Sequence, residues 1–187
     1  MLGKKIIDNI IDDIKNLGIS AAACFDVAES EFKFDERFRE LCKNNTCGSY
    51  GRNYMCPPAI GGFEDCTREI LRFKHALVTE TIHPLEDSFD YEGMMEGGEV
   101  HNKNVEKVRE YIKNNINYDE LKVLSAGGCK LCAKCGILDK VPCRFPDKAI
   151  SSVEGHAVDV AHLTETHGLK YINGENTVTY VALYLMK

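Results

Sequence analysis

Seven cysteines occur in two groups, and the spacing of the downstream group is typical of metal ligands. This group reads CKLCAKCGILDKVPC and contains Cys129, Cys132, Cys135 and Cys143. Ligands three residues apart on a tight loop can each reach a different iron of a cubic cluster, while the fourth ligand comes from farther along the chain. The pattern predicts one [4Fe–4S] cluster on these four thiols. Zinc is the alternative, although zinc sites usually gather two separated pairs of ligands.

The upstream group is looser and predicts a different kind of site. Cys42, Cys47 and Cys56 lie in the segment LCKNNTCGSYGRNYMCPP. Three thiolates would leave the fourth iron of a second cluster open, or held by a distant residue, and an open iron is a Lewis acid that can bind a substrate. The alternatives are a three-thiolate zinc site and reduced, buried thiols. We therefore predict one or two [4Fe–4S] clusters for the chain.

The remaining cysteines and a nearby group of histidines are expected to be structural. Cys66 shares a helical face with aliphatic and aromatic residues, which predicts a core position. Cys24 lies opposite the apolar face of its predicted strand, where we expect a small strand residue, and either cysteine could still complete the upstream site. His162 and His167 are five residues apart, which is not the spacing of a metal-binding pair on a helix. These two histidines, with His156 and Asp159, are predicted at the surface or at helix caps.

Composition and charge narrow the class of protein. The chain has 187 residues, 44% hydrophobic and 28% charged, which predicts a single globular domain over 1–187. The net charge of −6, with scattered lysines, argues against nucleic-acid binding. We see neither an apolar run of about 18 residues nor a signal peptide, so we expect no membrane association and a cytoplasmic location. In a reducing cytosol, clustered cysteines are better explained by metal than by disulfides.

Helices and strands alternate along the chain and must position the two cysteine-rich loops, which occupy 42–58 and 127–146. Hydrophobic periodicity predicts helices over 3–17, 35–42, 63–73, 102–116 and 158–167, and strands in ISAAACFDVA, HALVTETIH and KVLSAGG. The segment DYEGMMEGGE is predicted to be a flexible loop that could serve as a lid. The segment LKYINGENTVTYVALYLMK is predicted to be a hairpin with Asn173-Gly174 in or near its turn and a long final strand. We therefore expect an α+β (mixed α/β) fold, with a small central mixed sheet, flanking helices and an irregular cysteine-rich lobe.

Three segments form a specific combination that covers most of the chain, from Cys42 to Val160. They are CKNNTCGSYGRNYMCPP, FEDCTREILRFKHALV and GGCKLCAKCGILDKVPCRFPDKAISSVEGHAVDV. The combination resembles a family of predicted metal-binding proteins known as domain of unknown function 2284, in which an upstream cysteine set ends in Cys-Pro-Pro and a downstream set in Cys-Arg-x-Pro. The resemblance implies no particular reaction, but it implies metal binding at the seven matching cysteines: Cys42, Cys47, Cys56, Cys129, Cys132, Cys135 and Cys143.

Two functions follow from these sites. The chain is predicted to act in electron transfer, or as a small redox enzyme of anaerobic metabolism whose upstream cluster binds substrate. A structural zinc-binding protein without redox activity is the alternative. We expect a redox partner protein or a small-molecule substrate as partner. Because metal would anchor both irregular loops, we also expect the two sites to face one another across a shared cleft.

Overall fold

A five-stranded sheet runs through the part of the chain that the structure describes, residues 4–187, with side chains from residue 10 onward. In this computed structural model the strands are β1 (Ala21–Asp26), β2 (His75–Pro84), β3 (Leu121–Ser125), β4 (Ser151–Ser152) and β5 (Thr177–Met186). Their order across the sheet is β1-β2-β5-β3-β4. The pair β3–β4 is parallel and the other pairs are antiparallel. The predicted α+β fold with a mixed sheet is confirmed.

Helices flank this sheet, and all but the fourth begin and end within two residues of their predicted positions. Within residues 4–187 they are α1 (Lys4–Lys15), α2 (Arg37–Lys43), α3 (Phe63–Leu71), α4 (Tyr91–Asn115) and α5 (Val160–Thr166). The predicted start of the first helix, at residue 3, lies outside the described residues. Of the helices described, none is both long and apolar enough to cross a membrane.

Both faces of the sheet are buried, which explains why the central strands read as apolar runs. On one face α1 and α4 pack against the sheet through Ile14 and Val108, and on the other α3 and α5 contribute Ile70 and Leu163. In β5, side chains alternate between these two cores, so its neighbours along the chain are buried on opposite faces. A strand buried on both sides shows continuous hydrophobicity rather than alternation.

The segment predicted as a flexible lid is instead the first part of α4, so that prediction is wrong. Asp90 caps this helix, because its carboxylate accepts a hydrogen bond from the Gly93 N–H at 2.8 Å. At Gly97 an added Cβ would lie 2.8 Å from the His83 ring on β2. The glycines that suggested a loop therefore allow close packing of the helix on the sheet.

The predicted terminal hairpin is also wrong. Residues 169–176 form no strand, so Asn173-Gly174 does not join two strands. The apolar segment that follows is β5, which lies between β2 and β3 in the middle of the sheet. It pairs with β2 along its whole length, from Thr177 to Met186. Its hydrophobicity reflects this central position.

A buried histidine links α4 to two strands. His101 Nδ1 lies 3.0 Å from Thr81 Oγ1 on β2, and its Nε2 lies 3.1 Å from Ser125 Oγ at the end of β3. Hydroxyl groups can donate or accept, so they satisfy the neutral imidazole in either tautomer. Burial lowers the pKa of His101 to about 4, because the imidazolium would be poorly solvated there.

Replacing His101 with Gln should reduce the loss of stability in mild acid. In the unfolded chain the histidine pKa is about 6.5, so between pH 6.5 and 4 the unfolded state binds more protons than the folded one. The free energy of unfolding should therefore decrease as the pH is lowered through this window, by up to roughly 1.4 kcal/mol per pH unit. Anaerobic urea unfolding at several pH values would measure the slope. His162→Gln serves as the control, and equal slopes for both variants would contradict this role of His101.

Candidate metal centres

The three upstream cysteines line one cavity of about 380 Å³. Cys42 lies in the last turn of α2, so the predicted loop over 42–58 begins inside a helix. Cys47 and Cys56 lie on the irregular segment that follows. Cys56 is 5% exposed, whereas Cys47 is exposed at the rim. The fold therefore places these three thiols around one cavity, with Cys56 at its buried end and Cys47 at its open end.

Hydrogen bonds hold the upstream loop in shape where no regular element does. Asn45 adopts the left-handed conformation, with φ of 54°, which asparagine tolerates better than most residues. Its side-chain oxygen accepts from the Tyr50 N–H at 2.9 Å. Farther along, the Gly51 N–H donates to the Pro57 carbonyl, also at 2.9 Å. The first contact closes the turn that carries Cys47, and the second closes the turn that carries Cys56.

A buried arginine ties α2 to the far end of the chain. Arg39 Nη1 donates to the carbonyl of Gly155 at 2.8 Å and lies 3.2 Å from Cys66 Sγ, while Nη2 donates to the carbonyl of Gly61. Cys66 itself is fully buried and does not line the upstream cavity. The predicted core position of Cys66 is confirmed.

The four downstream cysteines line a second, much tighter cavity of about 20 Å³: Cys129, Cys132, Cys135 and Cys143. The loop folds back sharply here, because a Cβ on Gly136 would lie 2.8 Å from the carbonyl oxygens of both Val141 and Pro142. Arg144 Nη1 donates to the Lys134 carbonyl at 2.8 Å, which closes the loop on its outer side. The fold therefore places all four predicted ligands around one small space.

The two cavities are neighbours that share a wall of main chain. Gly128 lines the upstream cavity, and the next residue, Cys129, lines the downstream one. An added Cβ on Gly128 would lie 3.3 Å from Cys56 Sγ. On the other side of the wall, Asn53 Nδ2 donates to the Cys129 carbonyl at 2.8 Å. The two sites are therefore adjacent. Between them lies a strip of main chain, residues 53–56 and 127–129, which we call the shared wall. We had expected a shared cleft at this place.

Burial keeps several of these thiols protonated when no cation is bound. It raises the pKa of Cys56 to about 11 and also raises the pKa values of Cys42 and Cys129, because a thiolate is poorly solvated there. Repulsion from the Glu154 carboxylate adds a smaller increase in the pKa of Cys42 and Cys56. A metal reverses this preference, so its binding must release protons.

Donor atoms are spread around each cavity rather than gathered at one point. Within residues 4–187, no three His, Cys, Asp or Glu side chains are placed to hold a single metal ion. A zinc ion needs its sulfur ligands about 2.3 Å from one centre, whereas an iron–sulfur cluster presents several irons to separate thiolates. The all-thiol donor sets are of the kind that iron–sulfur clusters use. At the upstream cavity, the missing Cβ of Gly128 also leaves room beside Cys56.

Other residues considered from the sequence lie away from the cysteine cavities. Cys24 packs into the core beneath α1 and α4, where burial raises its pKa to about 12. His156 is fully buried, and its Nδ1–H donates to the Ser152 carbonyl at 2.8 Å, so its predicted surface position is wrong. His167 caps α5, as predicted, and stacks on Phe25 with ring centroids 3.6 Å apart.

Sequence reasoning missed Glu154, which lines the upstream cavity. Its Oε2 accepts a hydrogen bond from the Gly127 N–H at 3.3 Å. Glu154 begins a short 3-10 helix, Glu154–His156, that directly follows β4 and Val153. No spacing rule links a glutamate here to cysteines in the first third of the chain. Contacts between distant parts of the chain bring them together: the Arg39 side chain on α2 donates to the Gly155 carbonyl, and the Ser152 N–H on β4 donates to the Met55 carbonyl.

Comparison with known proteins identifies a family and a distant structural likeness. The family model described as "Predicted metal-binding protein (DUF2284)" matches residues 26–186. No curated protein matches the chain. A selenomethionine-labelled epoxyqueuosine reductase aligns at 9% identity and a TM-score of 0.45, over 96% of this chain and 45% of that one. The Bacillus subtilis epoxyqueuosine reductase aligns at 8% identity and a TM-score of 0.39, over 97% and 45%. The chain therefore spans under half the length of these structures.

Replacing Gly128 with Ala should impair metal binding at the upstream site. The new Cβ would lie 2.7 Å from Ser49 Oγ and 3.3 Å from Cys56 Sγ, so the loop or the thiol must move. Metal content of anaerobically purified protein should fall by up to about half if both sites are normally filled. Gly98→Ala is the control, because a Cβ there meets Tyr180 only at an ordinary 3.7 Å. Unchanged metal content in the Gly128 variant would refute the close approach.

Proposed function

This chain belongs to the DUF2284 family of predicted metal-binding proteins, and we propose that it is an iron–sulfur protein with two [4Fe–4S] clusters. The downstream cysteines hold one cluster through four thiolates. The upstream cysteines hold the other through three, which leaves one coordination position for a different ligand. Together they make a small redox protein in which electrons pass between the two sites and a small molecule binds at the upstream one.

The observation that carries this proposal is the shared wall between the two cavities. Gly128 lines the upstream cavity and its neighbour in sequence, Cys129, lines the downstream one. The Cα atoms of neighbouring residues are only about 3.8 Å apart, so the two cavities approach one another closely here. Two clusters held here would be neighbours. Such an arrangement suits electron transfer between them and has no evident use in two structural zinc sites.

Bound clusters would supply electrons at both sites and a Lewis-acidic iron at the upstream one. The chain itself does the rest. Cys56 and its neighbours lose their thiol protons on binding, since burial otherwise favours the protonated form. Main-chain N–H groups of the glycine-containing loops lie nearby, and hydrogen bonds to cluster sulfur are a known means of setting a reduction potential.

An apolar rim around the downstream cavity favours a redox partner protein. Four large hydrophobic side chains there are between 39% and 43% exposed: Leu131, Leu138, Val141 and Phe145. They are interspersed along the chain with the downstream cysteines, and two of them, Leu131 and Phe145, line the downstream cavity itself. Exposed apolar residues gathered around one site are typical of surfaces that bind another protein. We therefore propose that electrons enter or leave through this rim.

The upstream cavity suits a small molecule rather than a protein. Its volume of about 380 Å³ lies within the range of small-ligand pockets. Hydroxyl groups of Ser49, Tyr50 and Ser152 line it together with apolar side chains. It is therefore able to bind a compact, partly polar substrate against the one position that cysteine does not fill.

Removing one ligand from each site should separate the two clusters. Cys132→Ser should remove roughly half of the iron in anaerobically purified protein, and Cys56→Ser should remove a similar share, since each variant disrupts a different cluster. In the reduced wild type, electron paramagnetic resonance should show magnetic interaction between the two clusters. That interaction should disappear in either variant.

Cys24→Ser is the matched control, because Cys24 is half-buried against the core and lines neither cysteine cavity. It should keep the iron content and the interacting signal of the wild type. Zinc at full occupancy with no iron, after anaerobic expression and purification, would instead support a structural metal protein and reject the redox function.

A further inference from the structure

Three thiolates leave one position of the upstream site to be filled, and the cavity contains one suitable donor. Besides the cysteines, the described residues that line it offer hydroxyls, an amide and a single carboxylate, that of Glu154. Hydroxyls are poor ligands because they must first lose a proton of high pKa. Burial raises the pKa of the Glu154 carboxyl, but a bound cation favours its ionised form, as it does for the thiols, and that form binds iron through oxygen. Glu154 is therefore the strongest remaining protein donor in the cavity.

The sheet delivers Glu154 to this cavity. Leu124 pairs with Ser151 and Ser125 with Ser152, and this is the parallel pair of the sheet. Parallel strands end at the same edge, so the chain leaving β3 and the chain leaving β4 emerge side by side. The chain leaving β3 continues into the glycines of the shared wall, and the chain leaving β4 continues through Val153 to Glu154. The Val153 N–H donates to the Ser125 carbonyl at 3.0 Å and locks the two exits together.

The main chain around Glu154 is fixed, so its side chain is the part that can move. The Ala157 N–H donates to the Glu154 carbonyl at 2.9 Å. The next residue, Gly155, is packed so closely that a Cβ would lie 2.5 Å from Ser152 Oγ and 2.9 Å from Pro57 Cδ. The Glu154 carboxylate is held by the Gly127 N–H at 3.3 Å, which is longer than most hydrogen bonds. A fixed backbone with a loosely held carboxylate suits a ligand that can be exchanged.

We propose, building on the two-cluster function above, that Glu154 is the fourth protein ligand of the cluster on Cys42, Cys47 and Cys56, and that incoming substrate displaces it. Displacement breaks one iron–oxygen bond and forms one bond from a lone pair of the incoming molecule. No electron is transferred in this step. The released carboxylate keeps its negative charge and its hydrogen bond to the Gly127 N–H.

The exchange defines the class of molecule that binds. The incoming molecule must coordinate more strongly than a carboxylate oxygen and must fit in the part of the cavity, about 380 Å³ in all, that the cluster leaves free. Small thiolates and other compact anions meet both conditions, because soft donors are preferred by iron–sulfur centres. Glu154 then occupies the fourth coordination position of the upstream cluster, so that water and weak ligands are excluded and only a stronger donor can bind there.

The test uses two substitutions of Glu154 and cyanide as the probe. Glu154→Gln removes the competing charge, so cyanide should bind the reduced protein at least about tenfold more tightly, since the binding-competent state is no longer a minor fraction. Glu154→Cys supplies a fourth thiolate and should abolish cyanide binding while the iron content remains that of the wild type. Glu165→Gln, on the exposed side of α5, should behave as wild type. Electron paramagnetic resonance titrations would follow binding without an activity assay.

Mössbauer spectra of the wild type provide a second readout. One iron in roughly eight should differ from the rest through its oxygen ligand, and this component should disappear in Glu154→Cys. If both clusters are present but neither substitution changes cyanide binding or the spectrum, the role of Glu154 is wrong and the two-cluster function stands. If the upstream cysteines of the anaerobic wild type hold no iron, both proposals fall together.

Discussion

The shared wall between the two cysteine cavities is the constraint on which both metal sites depend. One strip of this wall, residues 53–56, is pinned to the sheet because the Met55 carbonyl accepts from the Ser152 N–H at 3.1 Å. Its other strip, residues 127–129, is bound to the first through the Asn53 side chain. A shift of either strip changes the position of ligands in both cavities. We therefore expect metal bound at one site to stabilise the other through the wall.

The sheet supports the wall at its edge. Helices cover both faces of the sheet, so the strands are buried and rigid up to the point where β3 and β4 end. The cysteine loops need no regular structure of their own, because they are anchored to these strand ends and by the buried Arg39. This division is common in functional sites, where loops carry the chemistry and packed elements position it.

Much of the fold could be predicted from the sequence, and so could the grouping of the cysteines around two cavities, because both leave local signals. Amphipathic helices and the three-residue cysteine spacing are visible in short windows. The beginning of α4 was missed because its glycines have low helix propensity, and their packing against β2 involves residues distant in sequence. The central position of β5 was missed because a strand buried on both faces and a hairpin arm look alike. Glu154 was missed because it reaches the upstream cysteines only through contacts between residues distant in sequence, such as the bond from the Ser152 N–H to the Met55 carbonyl.

The central position of β5 has a consequence for biogenesis. This strand joins β2 to β3, yet the ribosome makes it after both cysteine groups. At typical rates of a few to about twenty residues per second, the thiols emerge seconds before the strand that completes their support. During that interval the cysteines belong to a nascent chain whose sheet is split into two unjoined halves. We therefore expect metal delivery to follow release of β5 from the ribosome, so that translation itself sets the earliest moment of maturation.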